Sequence, residues 1–214
     1  LRDPQKEGHA AAQEFFASGK KKAILQLPVG CGKTGLIALL PFGIAKGRVL
    51  VIAPNLTIRD ELQRALDVSN KRTCFWNKCH VLMGPQMSAG PYLAVLDGKD
   101  ANIHDCDNSH IVLTNIQQLA SSAERWLPAF ADNYFDLILV DEGHHNAAPS
   151  WKKVFDKFPN AKVVSLTATP FRSDDREIEG EFIYRYSFKR AMLKGYVKRL
   201  QSCLLYTSDA ADDL

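Results

Sequence analysis

The sequence predicts an α/β fold, a three-layer sandwich in which helices cover both faces of a mostly parallel central sheet, built as a single domain. Three observations predict it. Short β-rich apolar runs alternate with stretches of helical periodicity, the pattern of strand–helix crossovers. One run, Leu137–Val140, is four aliphatic residues in succession, as a strand buried on both faces requires. A Gly-containing loop, Leu27–Thr34, follows the first apolar run and opens a helical stretch. A length of 214 residues suits one such domain and would cramp two.

The elements follow in order. Ala23–Leu27 is the first strand, ended by Pro28 and two glycines, and Lys33–Leu40 is a helix halted near Pro41 and Gly43. Val49–Ala53 is a strand stopped by Pro54. Thr57–Leu66 places Ile58, Leu62, Ala65 and Leu66 on one helical stripe. Between Asp67 and His110 the periodicity weakens. A strand over Tyr92–Leu96 and turns at Gly84-Pro85, Gly90-Pro91 and Asp97-Gly98 are the expectations there. Ile111–Thr114 is a strand and Ile116–Ala123 the helix after it. Leu137–Val140 is the central strand, Ser150–Phe158 a helix capped by Ser150, and Val163–Leu166 a further strand. Phe182–Tyr186 and Phe188–Leu193 are a late strand and helix.

Composition removes several classes. With 46% hydrophobic and 24% charged residues the chain carries enough apolar surface for a core, which excludes a disordered or low-complexity protein. No run approaches the roughly 18 apolar residues of a membrane helix, so no membrane partner is expected. Five scattered cysteines and the lack of a signal peptide point to a reducing cytoplasm. The net charge is +3, but residues 203–214 hold three acids and no base, so the remainder carries 27 minus 21, or +6. That balance is compatible with a polyanionic partner.

Two constellations carry chemistry. In Leu27-Pro28-Val29-Gly30-Cys31-Gly32-Lys33-Thr34, strand–loop–helix context aims backbone N–H groups and the positive end of a helix at an anion. Gly30 and Gly32 permit a tight turn and close approach, Lys33 neutralises phosphate charge, and Thr34 offers a hydroxyl to Mg²⁺. The strict phosphate-loop pattern is not met, because Leu27 stands where its first Gly belongs; a Gly-rich helix cap is the plainer alternative. Cys31 is a small loop residue whose thiolate the helix start and Lys33 would favour. The second constellation is Asp141-Glu142-Gly143-His144-His145 at the end of the Leu137–Val140 strand, where α/β sheets place ligands. Asp141 is set to hold Mg²⁺, Glu142 to orient and deprotonate a water, and His144 to link the nucleotide state to neighbouring strand ends. A solvated turn is the alternative. His144 and His145 are adjacent and diverge, so they make no metal pair.

Two weaker signals stand outside these. Cys74-x₄-Cys79-His80, with Cys106 later, misses common zinc spacings. Lys71, Arg72, Phe75, Trp76 and Lys78 mix basic and aromatic residues, which suits base stacking or, more often, a loop packing its rings inward.

Taken together, the chain resembles the first RecA-like domain of a DExH-type superfamily 2 helicase, in the branch similar to type III restriction subunits. The loop Pro28–Thr34 resembles motif I, Asp141–His144 motif II, and Ser165-Leu166-Thr167-Ala168-Thr169-Pro170 motif III. Leu1–Gln5 resembles the upstream element whose glutamine, here Gln5, reads adenine. Ala53-Pro54-Asn55 resembles motif Ia and Val112-Leu113-Thr114-Asn115 motif Ib, both of which touch the nucleic-acid backbone; Thr169-Pro170-Phe171-Arg172 fits the same branch. The resemblance implies an ATP-dependent motor domain with ATP and Mg²⁺ as cofactors. Its cofactor residues would be Gln5, Gly30, Cys31, Gly32, Lys33 and Thr34, and its catalytic residues Lys33, Asp141 and Glu142. His144, Thr167 and Thr169 would couple hydrolysis to movement. Pro54, Asn55, Thr114, Asn115 and Arg172 would meet nucleic acid, DNA in preference to RNA. Singly, Asn55 and Thr114 also suit strand-end caps, Gln5 a surface site, and Arg172 a solvated loop.

The resemblance also implies a second RecA-like domain, which supplies an arginine finger and is absent from the chain. Cys203–Asp212 resembles the translation of a transposon-based sequencing adapter, against the alternative of a frayed terminus. The expected organisation is therefore an ATP-binding domain over residues 1–202, a non-native tail over 203–214, and a gene fragment cut at both ends. Alternatives to a DNA helicase or translocase are a DExH RNA helicase and a non-hydrolysing, ATP-gated nucleic-acid-binding module. Restriction or repair subunits as partners are left unspecified.

Overall fold

A computed structural model describes residues 1–96, 103–121, 126–142, 149–169 and 179–198. The expected turn at Asp97-Gly98, the last residues of the Ile116–Ala123 helix, His144, His145, Arg172 and the tail at 203–214 lie outside the described residues.

Seven strands make one sheet: β1 (Lys22–Gln26), β2 (Arg48–Ala53), β3 (Leu93–Val95), β4 (Ile111–Asn115), β5 (Phe135–Asp141), β6 (Lys162–Thr167) and β7 (Glu181–Arg185). Their order is β3-β4-β2-β5-β6-β1-β7, and every neighbouring pair is parallel. The mostly parallel sheet of the sequence reading is thus wholly parallel among the described residues. Parallel neighbours need crossovers, which the helices supply: α1 (Asp3–Ala17), α2 (Lys33–Leu39), α3 (Leu56–Leu66), α4 (Phe75–Lys78), α5 (Pro85–Ser88), α6 (Ile103–Asp107), α7 (Ile116–Ser121), α8 (Pro149–Lys157) and α9 (Phe188–Leu193).

The period of two along each strand divides the core. On β5, Leu137 and Leu139 join Ala12, Phe16, Leu36, Ile37 and Leu62 from α1, α2 and α3 on one face. Ile138 and Val140 point the other way, to Trp126, Phe130, Val154 and Phe158. Two cores on opposite faces of one sheet make the three layers, and they explain why Leu137–Val140 carries no polar alternation. No helix among the described residues is long and apolar enough to cross a membrane.

Local chemistry fixes the element ends. The Asn55 Oδ1 accepts the Ile58 backbone N–H at 2.9 Å and caps α3, whose Leu62 and Leu66 are buried as the stripe predicts. The Ser187 Oγ accepts the Arg190 N–H at 3.2 Å and starts α9 at the expected residue. By contrast α8 begins at Pro149, so Ser150 lies inside its first turn rather than at the cap; proline, with no N–H to leave unpaired, suits that first position. The expected Tyr92–Leu96 strand is shorter, Leu93–Val95, because it pairs on one side only, with β4. Helices α1, α4, α5 and α6 occupy stretches in which sequence periodicity assigned no bounded element. Trp76 belongs to this set. It is fully buried and its indole N–H donates to the Ala38 carbonyl at 2.8 Å, so the basic–aromatic loop packs this ring inward.

Candidate functional site

The sheet order sets the site. β6 lies between β1 and β5, with Asp141 in register with Leu166 and Gln26 with Thr167. The carboxyl ends of β1, β6 and β5 therefore stand side by side. The loop after β1, the end of β6 and the acids after β5 meet at one edge, as expected for ligand sites in α/β sheets.

The loop is held by its own backbone. The Leu27 N–H donates to the Thr167 carbonyl at 2.9 Å and the Cys31 N–H to the Pro28 carbonyl at 3.1 Å. Gly32 caps α2 with φ +90°, a left-handed conformation that a side chain would strain. A Cβ there would also lie 2.6 Å from the Gln5 Nε2. That amide donates to the Gly32 carbonyl at 3.1 Å, while the Gln5 Oε1 accepts the Arg2 N–H at 2.9 Å. Gln5 is buried, so the surface alternative for it fails. Arg2 adds a guanidinium hydrogen bond to the Gly30 carbonyl. Two side chains of the upstream element thus grip the loop from the α1 side.

Lys33, the first residue of α2, reaches the other way. Its Nζ is 3.9 Å from the Asp141 Oδ1 and forms an ion pair with Glu142. The Lys33 side chain is 12% exposed and that of Asp141 8%. Burial pushes the Lys33 ammonium below its ordinary value, and the Asp141 charge opposes that push. Burial likewise holds the Asp141 carboxyl above its ordinary value, opposed by Lys33 and reinforced by the negative charge of Glu61. Glu142 adopts φ +53°, a left-handed backbone that costs a non-glycine residue about 1–2 kcal/mol. Its N–H donates to the Asp141 Oδ1 at 3.0 Å, which ties the two acids together. On β6, the Thr167 hydroxyl donates to the Thr169 carbonyl at 2.7 Å and accepts the Thr169 N–H at 3.2 Å. Thr34 is half-buried beside Lys33.

The structure thus brings together Gln5, Gly30, Gly32, Lys33, Thr34, Asp141, Glu142 and Thr167. Several other expected residues stand elsewhere or act differently. Cys31 is fully buried, and burial pushes its thiol up rather than favouring the thiolate; the low-dielectric surroundings outweigh the nearby Arg2 charge. Thr114 is fully buried and its hydroxyl donates to the Leu96 carbonyl at 3.3 Å, so it serves the core and presents nothing to a nucleic acid. Asn115 is 2% exposed and its Oδ1 accepts the Gln118 N–H at 2.8 Å, the cap of α7. The Pro54 carbonyl accepts the Gln117 amide at 3.0 Å, next to the Asn55 cap. Pro54, Asn55, Thr114 and Asn115 share the carboxyl ends of β2 and β4, on the far side of β5 from the phosphate loop.

Sequence reasoning did not single out Arg2, Glu61 or Gly35. On α2, Gly35 lets Gln5 and Phe75 close in: a Cβ there would lie within 2.7 Å of the Phe75 Cζ. No local signal reports such a contact.

The donor set also bears on ligands. Thr34 and Asp141 offer hard oxygens, which suit Mg²⁺ rather than a soft metal. Gly30 and Gly32 both take left-handed backbone, φ +85° and +90°, and so shape the turn that opens α2, a helix start of the kind that suits an anion.

Comparisons with known proteins give the fold and the family. The chain is 33% identical over 73 residues to the Type I restriction enzyme EcoAI endonuclease subunit of Escherichia coli, covering 31% of this chain and 9% of that one. It is 25% identical over 208 residues to the TFIIH basal transcription factor complex helicase/translocase XPB subunit of Trypanosoma brucei brucei, covering 89% of this chain and 20% of that one. Among solved structures, a nuclease-deletion mutant of the Type ISP restriction-modification enzyme LlaGI, in complex with a DNA substrate mimic, superposes with a TM-score of 0.61. The identity is 20%, over 92% of this chain and 20% of that chain. That likeness shows the RecA-like α/β fold. The chain spans a fifth or less of the length of each of these proteins. The family described as "Type III restriction enzyme, res subunit" matches residues 1–172, well over half of the chain, and the chain belongs to that family.

Proposed function

We propose that the chain is the ATP-binding motor domain of an ATP-dependent DNA helicase or translocase, its partner RecA-like domain lying outside the chain. The observation that carries this reading is the position of Lys33, which leaves the loop after β1 and pairs with both acids after β5. One ligand lying there touches all three.

The chain's own residues divide the work. The loop N–H groups and Lys33 bind the phosphates, and Thr34 and Asp141 are the residues to hold Mg²⁺. Bound there, the ion would neutralise charge on the terminal phosphates. Phosphate must draw Lys33 away from Asp141 and Glu142, so ligand binding exchanges one set of ionic partners for another. Glu142, freed from Lys33, orients the attacking water and accepts its proton. Thr167 ties the end of β6 to Thr169 and so to the segment beyond, which is the route by which hydrolysis would reach nucleic acid. Asn55 and the α3 start are the described candidates for the nucleic-acid backbone, and Arg172 and His144 remain candidates from sequence. Binding through phosphates is salt-dependent and largely blind to sequence. On this reading residues 1–202 are the ATP-binding domain and 203–214 a non-native tail, as the adapter resemblance implies. Among the described residues, Cys31, Cys74, Cys79 and Cys106 are free thiols.

The test is ATPase activity of the longer protein with single-stranded DNA, duplex DNA and RNA. Stimulation by DNA is expected. Stimulation by RNA alone would establish the RNA-helicase alternative, and ATP binding with no turnover under any condition would establish the binding module.

A further inference from the structure

The segment that leaves β7 returns to the phosphate loop. After α9, the Tyr196 N–H donates to the Ala191 carbonyl at 2.9 Å, which turns the chain back over α1. A Cβ on Gly30 would lie 3.1 Å from the Tyr196 carbonyl oxygen, so this segment packs directly on the loop. The Arg2 guanidinium sits over the Tyr196 ring, 5.1 Å from its centroid, while donating to the Gly30 carbonyl. Behind it, the Tyr186 ring lies 6.3 Å from Tyr196 at 34°, and Tyr186 is buried. Tyr196 itself is half-buried and Arg2 is exposed.

Direction along the sheet gives this cluster a meaning. The acids of β5 lie on one side of the β1 loop and the β7–α1 side lies on the other. A nucleotide whose terminal phosphates meet Lys33 and Asp141 must therefore send its base towards α1, where Arg2, Gln5 and Tyr196 meet. A guanidinium seated over a ring offers a surface on which a nucleobase stacks.

We propose that Tyr196 is a positioning residue of the nucleotide site, fixing the Arg2 guanidinium beside the loop as a platform for the nucleobase. This rests on the motor-domain reading and extends the site into the segment that leads out of the domain. Base occupancy and the course of the exit segment are then linked through one side chain.

The test is calorimetric binding of ATP and of inorganic tripolyphosphate, both with Mg²⁺, to the whole chain and to Tyr196→Phe, Tyr196→Leu and Tyr196→Ala. Tyr196→Phe keeps the ring and is expected to retain ATP affinity within about twofold. Tyr196→Ala and Tyr196→Leu are expected to weaken ATP about tenfold, the size of a lost stacking contact, and to leave tripolyphosphate within about twofold. Unchanged ATP affinity in Tyr196→Ala, or an equal loss of ATP and tripolyphosphate in both Tyr196→Leu and Tyr196→Ala, would overturn the proposal while leaving the motor-domain reading intact. A wild-type chain that binds neither ligand would overturn both.

Discussion

The Lys33 ammonium lies 3.9 Å from the Asp141 carboxylate, across the end of β6, which separates the Asp141 strand from the strand that leads to Lys33. The two residues are 108 positions apart in sequence, and only the order β5-β6-β1 brings them together. Burial drives both towards neutrality, and each limits the shift of the other. Such a pair is weak support for stability, because desolvation consumes most of the Coulomb attraction.

The raised Asp141 value fixes a pH dependence. As pH falls towards the ordinary carboxylate value of 3.8, the native chain takes up this proton before the unfolded chain does. The group therefore favours the native state more as the solution is acidified through its raised value, and that contribution is lost as pH rises. Comparing urea unfolding of wild type and Asp141→Asn from pH 7 down towards 3.8, the wild type should gain relative to the variant on acidification. An equal pH response in the two proteins would contradict the assigned direction.

Gly35 should tolerate no side chain. Gly35→Ala places a methyl against Gln5 and the Phe75 ring, and the overpacking is expected to cost about 1–3 kcal/mol. Because Gln5 also holds Gly32, ATP affinity should fall together with the melting temperature. A variant with wild-type melting and affinity would show that α2 has room there.

Cys31 should react slowly. It is fully buried with its thiol pushed above the ordinary 9.0, whereas Cys79 is half-buried. Iodoacetamide followed by peptide mass mapping should label Cys79 well before Cys31, with Cys31 labelling rising only at more alkaline pH. Labelling of Cys31 first would restore the activated thiolate that the loop sequence suggests.

Glu142→Gln separates binding from chemistry. In the longer protein it should retain ATP within about threefold and lose turnover, because the amide accepts no proton from water. On the proposed reading, in which a partner RecA-like domain supplies an arginine finger, the chain alone should bind ATP but turn it over roughly 10³–10⁵ more slowly than with that domain. Rapid hydrolysis by the chain alone would refute this division.

The fold was legible where periodicity was strong. Leu137–Val140 faces two cores and shows it by carrying no polar residue, and Asn55 declares the start of α3 by its side chain. The short helices between Asp67 and His110 were not legible, because Trp76 is held there by a carbonyl 38 residues away rather than by any local pattern. Much of the site was legible for the same reason: Gly32-Lys33-Thr34 and Asp141-Glu142 are chemistry at strand ends. What sequence hid is partnership. Nothing local states that the Thr114 hydroxyl turns inward to Leu96, that Cys31 is sealed from solvent, or that Arg2 reaches Gly30.

A double-mutant cycle tests the shared centre most directly. Mg²⁺-dependent ATP affinity is measured by calorimetry for wild type, Lys33→Ala, Asp141→Asn and the pair. A single centre predicts losses of about ten- to a hundredfold for each single variant. The double variant should then be no weaker than the weaker single by more than about twofold. Losses that multiply, as they do for independent sites, would show that Lys33 and Asp141 serve different ligands and would contradict the account.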